Sequence, residues 1–409
     1  MVQVYLDNNA TTPVAKEVCS ELLPFLNEQF YNPSSSYRNA DPPAKAVARA
    51  RGVVARFFGG EGVDSKEIIF TSGATESNNS AIFGALKANP GRRHLITSTV
   101  EHPAVLEVFK ECKRMGAEVT FVPVDHQGNI SLKDFVRALR PRETLLVSIM
   151  YANNETGVIF PIENLSRLTK ETDQGILFHT DATQAVGKLP MNLNGNFKNV
   201  DMLSLSGHKI HAPKGVGVLY IRRGSAWRPI QIGGHQEHGR RAGTENVAGI
   251  VGLGKAMELL WEEQAGPVLE NIRALRDKLE CALLERIPYV HINGRDAPRL
   301  PNTTNLSCHF IEGEGILYQL DEYGISASSG SACTSGSLDP SHVLKAMDVP
   351  FTAIHGSVRF SLSRFTVEEE IDYVINVFPE IVQRLRNISP YWDQEKNIPR
   401  QEKVILCSE

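Results

Sequence analysis

The sequence predicts an α/β fold built on a mostly parallel sheet. Between about residues 60 and 225, seven short runs rich in β-branched and apolar residues alternate with segments of helical character. Several runs are apolar almost throughout, as expected of strands covered on both faces, and the stretches between them are long enough for crossover helices. The predicted strands are 67–71, 94–99, 118–124, 144–150, 175–180, 201–206 and 215–221.

A change of pattern near residue 262 predicts a second, smaller domain. A long amphipathic stretch follows this point, and shorter β-like runs and a terminal helical segment come after it. A chain of 409 residues is also longer than one ordinary hydrophobic core can organise. We therefore expect a large domain over 15–262 and an α+β domain over 1–14 and 263–409, with a flexible polar tail from about residue 390.

Composition argues against several classes of protein. Lys plus Arg is 43 against 47 Asp plus Glu, and the net charge of −4 leaves no basic stripe of the kind that binds nucleic acid. We expect no membrane span and no signal peptide, because no apolar run is long enough and the N-terminal residues lack a basic start. The six scattered cysteines have no CxxC spacing, which favours a reducing, cytoplasmic compartment over a disulfide framework.

Polar residues follow five of the predicted strands. In open α/β sheets, ligands bind beyond the carboxyl ends of the strands, so these exits should converge. Taken alone, the polar residues after any one strand more often form a turn or a helix cap than a ligand site. In chain order, the five exits read SGATES, VEHPAV, YANNETG, DATQ and GHK.

Together, three of these exits describe a site for pyridoxal phosphate (PLP). Thr75 stands at the predicted beginning of a helix, where free N–H groups favour an anion, and Ser206 and His208 could serve the same anion. Lys209 follows a buried strand and could be desolvated into an amine able to form a Schiff base. Asp181 could face a cationic ring nitrogen. The ordinary alternatives are a capping box, a surface lysine and a helix cap, and the convergence favours PLP.

Metal and nucleotide sites are weaker interpretations. Histidine pairs three residues apart occur in HKIH and HQEH, but they lack the HExxH pattern and nearby cysteines. The absence of GxGxxG and of a P-loop argues against dinucleotides and nucleotides. We therefore expect no metal.

The run SSGSACTSGS (328–337) surrounds Cys333 with small residues and predicts a surface loop. A free cysteine is usually a small buried hydrophobe, and an exposed thiol invites oxidation unless its reactivity is used. On the loop alone a passive thiol is the better interpretation. Beside a PLP site, Cys333 becomes a candidate nucleophile.

With SGHK, DATQ and this cysteine loop, the sequence resembles the cysteine desulfurases, PLP enzymes of the class V aminotransferase group. The resemblance runs from YLDNNATTPV (5–14) to LRNISPYW (385–392). Three segments, HAPKGVGVLY, GGHQE and GRRAGTEN, look more like the nitrogen-fixation (NifS-like) branch than the housekeeping branch. The resemblance implies fold type I of the PLP-dependent transferases, with a seven-stranded sheet in the large domain.

The resemblance also implies a role for each site residue. Lys209 would hold PLP as a Schiff base and Asp181 would pair with the pyridinium nitrogen. His102 would stack on the ring and shuttle a proton. Arg359 and Asn154 would bind the substrate carboxylate. The remaining cofactor contacts would be Gln184 and Asn154 at the phenolate edge, and Thr75, the backbone of Ala74, Ser206, His208 and the partner subunit's Thr244 at the phosphate.

The function implied by the resemblance is that of a homodimeric cysteine desulfurase. L-Cysteine would displace Lys209 from the cofactor and lose its α-proton to Lys209. The Cys333 thiolate would attack the substrate sulfur, leaving a persulfide on the enzyme and releasing alanine. The sulfur would pass to an iron–sulfur scaffold protein serving nitrogenase maturation, and the persulfide could also be ligated to a cluster during transfer.

Other interpretations stay open at this point. A selenocysteine lyase or an aminotransferase would share the cofactor, and a scaffold whose thiols hold an iron–sulfur cluster would need none, although scattered single cysteines argue against it. One segment, 36–43, departs from the family, which commonly has a histidine and then a glycine where this chain has Tyr37 and Ala40. In relatives that segment lies near the active-site entrance.

Overall fold

The computed structural model describes residues 3–263, 266–329 and 340–400. The strands in this part of the chain are β1 (Val4–Tyr5), β2 (Ile68–Thr71), β3 (His94–Ser98), β4 (Glu118–Val122), β5 (Thr144–Ser148), β6 (Leu177–Asp181), β7 (Met202–Ser206), β8 (Gly217–Ile221), β9 (Val290–Ile292), β10 (Thr303–Cys308), β11 (Ile325–Ser326), β12 (Ser357–Ser361), β13 (Trp392–Asp393) and β14 (Ile398–Pro399). The helices are α1 (Lys16–Leu22), α2 (Pro24–Asn27), α3 (Asp41–Gly59), α4 (Ala74–Ala88), α5 (Pro103–Arg114), α6 (Leu132–Ala138), α7 (Ile162–Thr172), α8 (Gln236–Gly239), α9 (Val247–Glu263), α10 (Val268–Arg286), α11 (Gly313–Glu322), α12 (His342–Ala346), α13 (Phe351–Ile354) and α14 (Glu368–Ile388).

The central sheet has seven strands in the order β2-β8-β7-β6-β5-β3-β4. The pairs from β4 to β7 are parallel, whereas β8 is antiparallel to both β7 and β2. The connection 207–216 between β7 and β8 is shorter than a parallel crossover requires, so β8 must return in the opposite direction. Each of the seven predicted strands is present, and the predicted α/β class with a mostly parallel sheet is confirmed.

Helices cover both faces of this sheet, as the continuous apolar strands predict. Successive residues of a strand point to opposite faces. Leu95 of β3 accordingly packs with Ile82 of α4 and Phe109 of α5, while its neighbour Ile96 belongs to a cluster with Phe58 of α3 on the other face. The strands are therefore buried from both sides, and their polar ends are the places where the sheet meets solvent.

A separate apolar cluster forms in the C-terminal part of the chain. There the antiparallel sheet β12-β10-β9 packs with α10, α11 and α14. Val4 and Leu6 are buried in the same cluster, because β1 pairs in parallel with β11. The N-terminal residues thus lie against the C-terminal elements.

The chain after residue 390 differs from the flexible tail that we expected. β13 and β14 form a short antiparallel hairpin. The Trp392 ring is fully buried, with the Arg386 guanidinium 4.6 Å above it. A polar stretch is ordered here because one large aromatic ring is removed from water. Residues 401–409 lie outside the described part of the chain.

Within residues 3–263, 266–329 and 340–400, none of the helices has the length and apolar character that crossing a membrane requires.

Candidate cofactor site

The exits of β2, β6 and β7 meet at one edge of the central sheet. Gly217, the first residue of β8, pairs with Thr71 on one side and with Ser206 on the other. Asp181 ends β6 and pairs with Ser204 of β7. The carboxyl ends of parallel strands face the same crevice, so these exits form one site.

The beginning of α4 forms an anion-binding corner at this edge. Gly73, the N-cap of α4, lies so close to β8 that a Cβ added at Gly217 would be 2.6 Å from the Gly73 Cα. Ser206 is buried, and its Oγ is 3.6 Å from the position a Gly73 Cβ would take. The first N–H groups of a helix lack intrahelical acceptors, and the helix dipole adds positive potential there. Ala74, Thr75 and Ser206 can therefore bind an anion together.

Lys209 ends a short 3-10 helix (Gly207–Lys209) that directly follows β7. Its Nζ donates hydrogen bonds to the carbonyl oxygens of Asn9 and Ala10, at 2.7 and 2.6 Å. The two carbonyls fix the direction of the amine. Sequence reasoning missed Asn9 and Ala10, although the polar run DNNATT so near the N-terminus was a usable signal.

His208 stands between Lys209 and the N-terminal segment. Its Nδ1 lies 3.2 Å from the Thr11 Oγ1. Burial, together with the positive charges of Lys209 and Lys214, lowers the pKa of His208 to about 4. The imidazole is therefore neutral at pH 7, and it can act toward an anion as a hydrogen-bond donor but not as a cation.

Asp181 is buried, and both of its carboxylate oxygens accept hydrogen bonds. Asn78 Nδ2 donates to Oδ2 at 2.7 Å, and the Thr183 backbone N–H donates to Oδ1 at 2.9 Å. The two bonds fix the orientation of the carboxylate. Asn78 is fully buried in α4, one turn after Thr75, and sequence reasoning missed it because a buried asparagine within a helix resembles any other core residue in the sequence.

His102 caps α5 at the exit of β3. Its Nδ1 accepts the N–H of Ala104 at 3.1 Å, which places the proton of the neutral ring on Nε2. Burial lowers the pKa of His102, and the charge of Lys209 lowers it further, while Asp181 acts in the opposite direction. The charges of Asp181 and Lys209 therefore both act on the His102 ring.

Glu101, which sequence reasoning also missed, is the residue before His102. It is fully buried and accepts hydrogen bonds from Ser98 Oγ at 2.7 Å and from the Met150 N–H at 3.0 Å. Burial raises the pKa of Glu101 to about 8, with a further contribution from Asp181. The side chain ties the exits of β3 and β5 together.

Gln184 presents a buried oxygen to the site. Its Nε2 donates to the Asn9 carbonyl at 3.0 Å. Its Oε1 is buried and has no hydrogen-bond partner in the described part of the chain. A buried acceptor left unpaired is unfavourable, so this atom suits a donor on a bound molecule.

Arg359 of β12 lies on the side of the site away from the sheet. It is 4% exposed, and its Nη2 donates to Asp7 Oδ1 at 2.6 Å while Nη1 donates to the Asn154 carbonyl at 3.0 Å. Asn9 Nδ2 also donates to that carbonyl, so Arg359 is linked through Asn154 and Asn9 to Lys209. Across residues 3–263, 266–329 and 340–400, Arg359 Nε finds no partner. Sequence reasoning missed Asp7, which lies 352 positions away.

Two predicted residues are not placed in this constellation. Thr244 is exposed, between α8 and α9. Cys333 lies in 330–339, outside the described residues. The described residues on either side of that segment are both attached near the site. Ser328 pairs with Arg359 through two backbone hydrogen bonds, and Ser341 Oγ donates to Glu155 Oε2 at 2.5 Å.

The donor set fits PLP. It combines the amine of Lys209, the carboxylate of Asp181, a neutral histidine, an anion-binding helix terminus and the buried amide of Gln184, whose oxygen has no partner among the described residues, all at one edge of the sheet. No group of three or more His, Cys, Asp or Glu that could hold a metal ion occurs among the residues that the structure describes.

Comparison with known proteins gives the family. Residues 4–374 match the family described as Aminotransferase class-V. The chain belongs to this family. It is 55% identical over 96% of both chains to cysteine desulfurase 2 of Trichormus variabilis, and 53% identical over 96% of both chains to the cysteine desulfurase NifS of Azotobacter vinelandii.

Solved structures of class V aminotransferase relatives agree with the fold. A NifS-like protein has a TM-score of 0.86 at 39% identity, covering 94% of this chain and all of that one. The SspA protein in complex with cysteine has a TM-score of 0.77 at 35% identity over 89% of this chain. The predicted similarity to the cysteine desulfurases and the type I fold are confirmed. PLP is the cofactor of this family, which confirms the cofactor predicted from the strand exits.

Proposed function

We propose that this chain is a PLP-dependent cysteine desulfurase that converts L-cysteine to L-alanine and takes up the sulfur on Cys333. A PLP site alone would also suit an aminotransferase. The observation that carries the more specific proposal is the pairing of Ser328 with Arg359. It brings the chain that leads to Cys333 directly to the arginine linked to Lys209. Relatives that carry the name cysteine desulfurase over nearly the full length support it.

PLP, when bound, supplies an electron sink for the bonds at the substrate α-carbon. Lys209 would hold the cofactor covalently through Nζ until the amine of the substrate displaces it, and the freed Nζ would then take the α-proton. The carbonyls of Asn9 and Ala10 keep that atom directed into the site. Asp181 would face the ring nitrogen, and Asn78 keeps its carboxylate in place.

His102 would pack on the cofactor ring and carries its exchangeable proton on Nε2, because Nδ1 is occupied by the Ala104 N–H. Gln184 and Asn154 would lie at the phenolate edge, with the Gln184 amide turned so that Nε2 donates to the phenolate oxygen, which is an acceptor. The phosphate would be held at the beginning of α4. Its proposed ligands are the N–H of Ala74, Thr75, Ser206, His208 and the partner subunit's Thr244, and the last of these makes the enzyme a homodimer.

Arg359 and Asn154 bind the carboxylate of L-cysteine. Arg359 already pairs with Asp7, and its Nε has no partner among the residues that the structure describes, so a second carboxylate would complete its hydrogen bonding. The Cys333 thiolate then forms a bond to the substrate sulfur as the Cβ–Sγ bond breaks. The electron pair of that bond stays with the substrate carbon, which takes up a proton and leaves as alanine.

Three wider features belong to the same proposal. The division into a large domain (15–262) and a small domain (1–14 and 263–409) is supported by the apolar cluster that joins Val4 and Leu6 to the C-terminal helices. The enzyme works in the cytoplasm as a homodimer. It passes sulfur from the Cys333 persulfide to an iron–sulfur scaffold protein for nitrogenase maturation, a role supported by the relative named NifS.

The test is to incubate the purified protein with L-cysteine, without reductant, and to measure alanine and added sulfur on the Cys333 peptide by mass spectrometry. We expect stoichiometric alanine with a sulfur adduct on Cys333, and loss of both in Cys333→Ala. Cys281→Ala, which removes an exposed free thiol, is the matched control and should behave as the unaltered protein. Alanine without any adduct would instead point to a lyase that releases its chalcogen directly.

A further inference from the structure

Glu76 places a negative charge at the beginning of α4, one residue after Thr75. Its side chain is 18% exposed, and its Oε2 accepts the N–H of Ser72 at 2.8 Å. Burial would raise the pKa of Glu76, but hydrogen bonds from Arg241 and Ser72 outweigh burial and lower it. The carboxylate is therefore ionised at neutral pH. A charge of this sign next to an anion-binding corner opposes binding of a phosphate.

Arg241 compensates the charge of Glu76 with a bidentate ion pair. Its Nε donates to Glu76 Oε1 at 2.8 Å and its Nη2 donates to Oε2 at 3.2 Å. The guanidinium is 24% exposed, so the pair is largely removed from water. Planar bidentate pairing fixes orientation as well as charge, and it keeps the carboxylate turned toward Ser72.

The segment that carries Arg241 is itself firmly attached to the sheet. Glu237, four residues earlier, makes a buried bidentate pair with Arg51 at 2.5 and 2.7 Å and accepts the N–H of Phe70 in β2. Glu237 and His238 have φ angles of 50° and 59°, a conformation that non-glycine residues adopt at a cost. The fold therefore holds the backbone at Glu237 and His238 in an unfavourable conformation, and this conformation places Arg241 beside Glu76.

Without Arg241, Glu76 would compete with the cofactor. In a capping box, a glutamate at the third position of a helix bonds the N–H of the N-cap residue. Here that residue is Gly73, so a released Glu76 carboxylate would lie beside the N–H groups of Ala74 and Thr75 that a phosphate needs. The ion pair thus performs two tasks, since it neutralises the charge and keeps the competing carboxylate away.

We propose that Arg241 is a positioning residue for the cofactor phosphate, acting through Glu76. This inference rests on the proposed PLP site. It predicts that the effect of removing Arg241 depends on whether the ligand carries a phosphate, which a purely structural role of Arg241 would not produce. Removing Arg241 should weaken binding of ligands that carry the phosphate and leave binding of pyridoxal, which lacks it, unchanged.

The experiment titrates PLP and pyridoxal into apoprotein, followed by the visible absorption band, for the unaltered chain, Arg241→Gln, Glu76→Gln and the double variant. Arg241→Gln should weaken PLP about tenfold because an uncompensated carboxylate then faces the phosphate. Glu76→Gln and the double variant should both bind PLP within about threefold of the unaltered protein. Arg49→Gln, which breaks the exposed pair with Glu258, is the matched control and should change neither affinity.

Two outcomes would overturn the inference about Arg241 and leave the proposed cofactor site standing. One is equal weakening of PLP and pyridoxal in Arg241→Gln, and the other is a double variant that binds PLP no better than Arg241→Gln. If Arg241→Gln fails to fold, the comparison of Glu76→Gln with the double variant decides, because the inference requires these two to bind PLP equally. An unaltered protein that binds neither ligand would overturn the cofactor site as well.

Discussion

Two ends of the site are built in different ways. The proposed cofactor end (Thr75, Asp181, Ser206 and Lys209) comes from strand exits of one sheet. Most of its groups are held by close neighbours in that sheet and in α4, and the Lys209 amine is also held by the carbonyls of Asn9 and Ala10. The substrate end (Asp7, Asn154 and Arg359) joins segments up to 352 residues apart. The cofactor end is thus part of the core framework, whereas the substrate end exists only after the N-terminal and C-terminal elements have packed together.

This difference predicts different consequences of mutation. Changes at the cofactor end should remove chemistry and leave the fold largely intact. Changes at the substrate end should alter stability and the response to ligands, because buried charges there depend on partners from distant elements.

The largest effect is expected for Lys209→Ala. The variant lacks both the covalent attachment and the base, so alanine formation should fall by at least about 1,000-fold, and the visible band of the lysine-bound cofactor should disappear. Lys214→Ala, which removes an exposed lysine five residues away, should retain the band and the rate. A variant at 209 that keeps the band would contradict the assignment of the cofactor end.

Asp7→Ala should give the largest loss of stability at the substrate end. It leaves the 4% exposed Arg359 without its anionic partner, and removing one member of a buried pair costs about 3 kcal/mol. L-Alanine, the proposed product, should raise the Tm of this variant more than that of the unaltered protein, since its carboxylate replaces Asp7. Asp7→Asn keeps an acceptor and should lose less. Equal Tm shifts in all three proteins would mean that Arg359 does not bind the amino-acid carboxylate.

At the cofactor end, Asn78→Ala should lower the rate without loosening the cofactor. Removing a hydrogen bond to a charged group costs about 2 kcal/mol, so kcat should fall about 30-fold. PLP affinity should stay within about threefold, because the phosphate corner is untouched. Asn164→Ala in α7 provides the control. Loss of affinity equal to the loss of rate would show that Asn78 supports the whole pocket and not Asp181 in particular.

The convergence of the strand exits at the cofactor end could be predicted from the sequence because it depends on the sheet alone. Apolar runs identify the strands, and parallel strands bring their polar exits to one edge whatever the remaining chain does. Lys209 and Asp181 follow from that rule. Asn78 does not, because its interior helical position carries no signal that separates a partner of a carboxylate from a core residue.

The substrate end could not be predicted in the same way. Nothing in the sequence says that the carboxylate of Asp7 will meet a guanidinium 352 positions later, since that contact depends on β1 pairing with β11 and on how β12 packs. The ordered tail was missed for a similar reason. The composition of the chain after residue 390 is polar and predicts flexibility. The packing of Trp392 against Arg386 is what outweighs that expectation.

The framework of the cofactor end should also respond to acid. His179 is fully buried between Ser148 and Ser204, and burial lowers its pKa to about 4. The unfolded chain, with a value near 6.5, binds more protons below that pH, so stability is lost as the pH falls from about 6.5 toward 4. At pH 5 the loss from this group is about 2 kcal/mol. In His179→Gln, the urea midpoint of unfolding should change less between pH 7 and pH 5 than in the unaltered protein. An unchanged pH dependence would mean that another group causes the acid sensitivity.

The smallest effect is expected where the two ends meet the segment that carries Cys333. Ser341 Oγ donates to Glu155 Oε2 and accepts the N–H groups of Val343 and Leu344, so one hydroxyl caps α12 and anchors it to the substrate end. Burial raises the pKa of Glu155 to about 7, and the ionised form is the better acceptor for this bond. Ser341→Ala removes the cap, at about 1 kcal/mol, and should slow sulfur transfer to Cys333 about threefold while PLP affinity stays unchanged.

The measurement is single-turnover formation of the Cys333 adduct at pH 6, 7 and 8. In the unaltered protein the rate should rise across this range as Glu155 loses its proton and the bond to Ser341 strengthens. The slower rate of Ser341→Ala should lack that component of the rise. Ser20→Ala in α1, which removes an exposed hydroxyl that bonds the Lys16 carbonyl, serves as control. If both serine variants keep the full pH dependence, Glu155 does not set the position of α12, and the rise must come from ionisation of the attacking thiol itself.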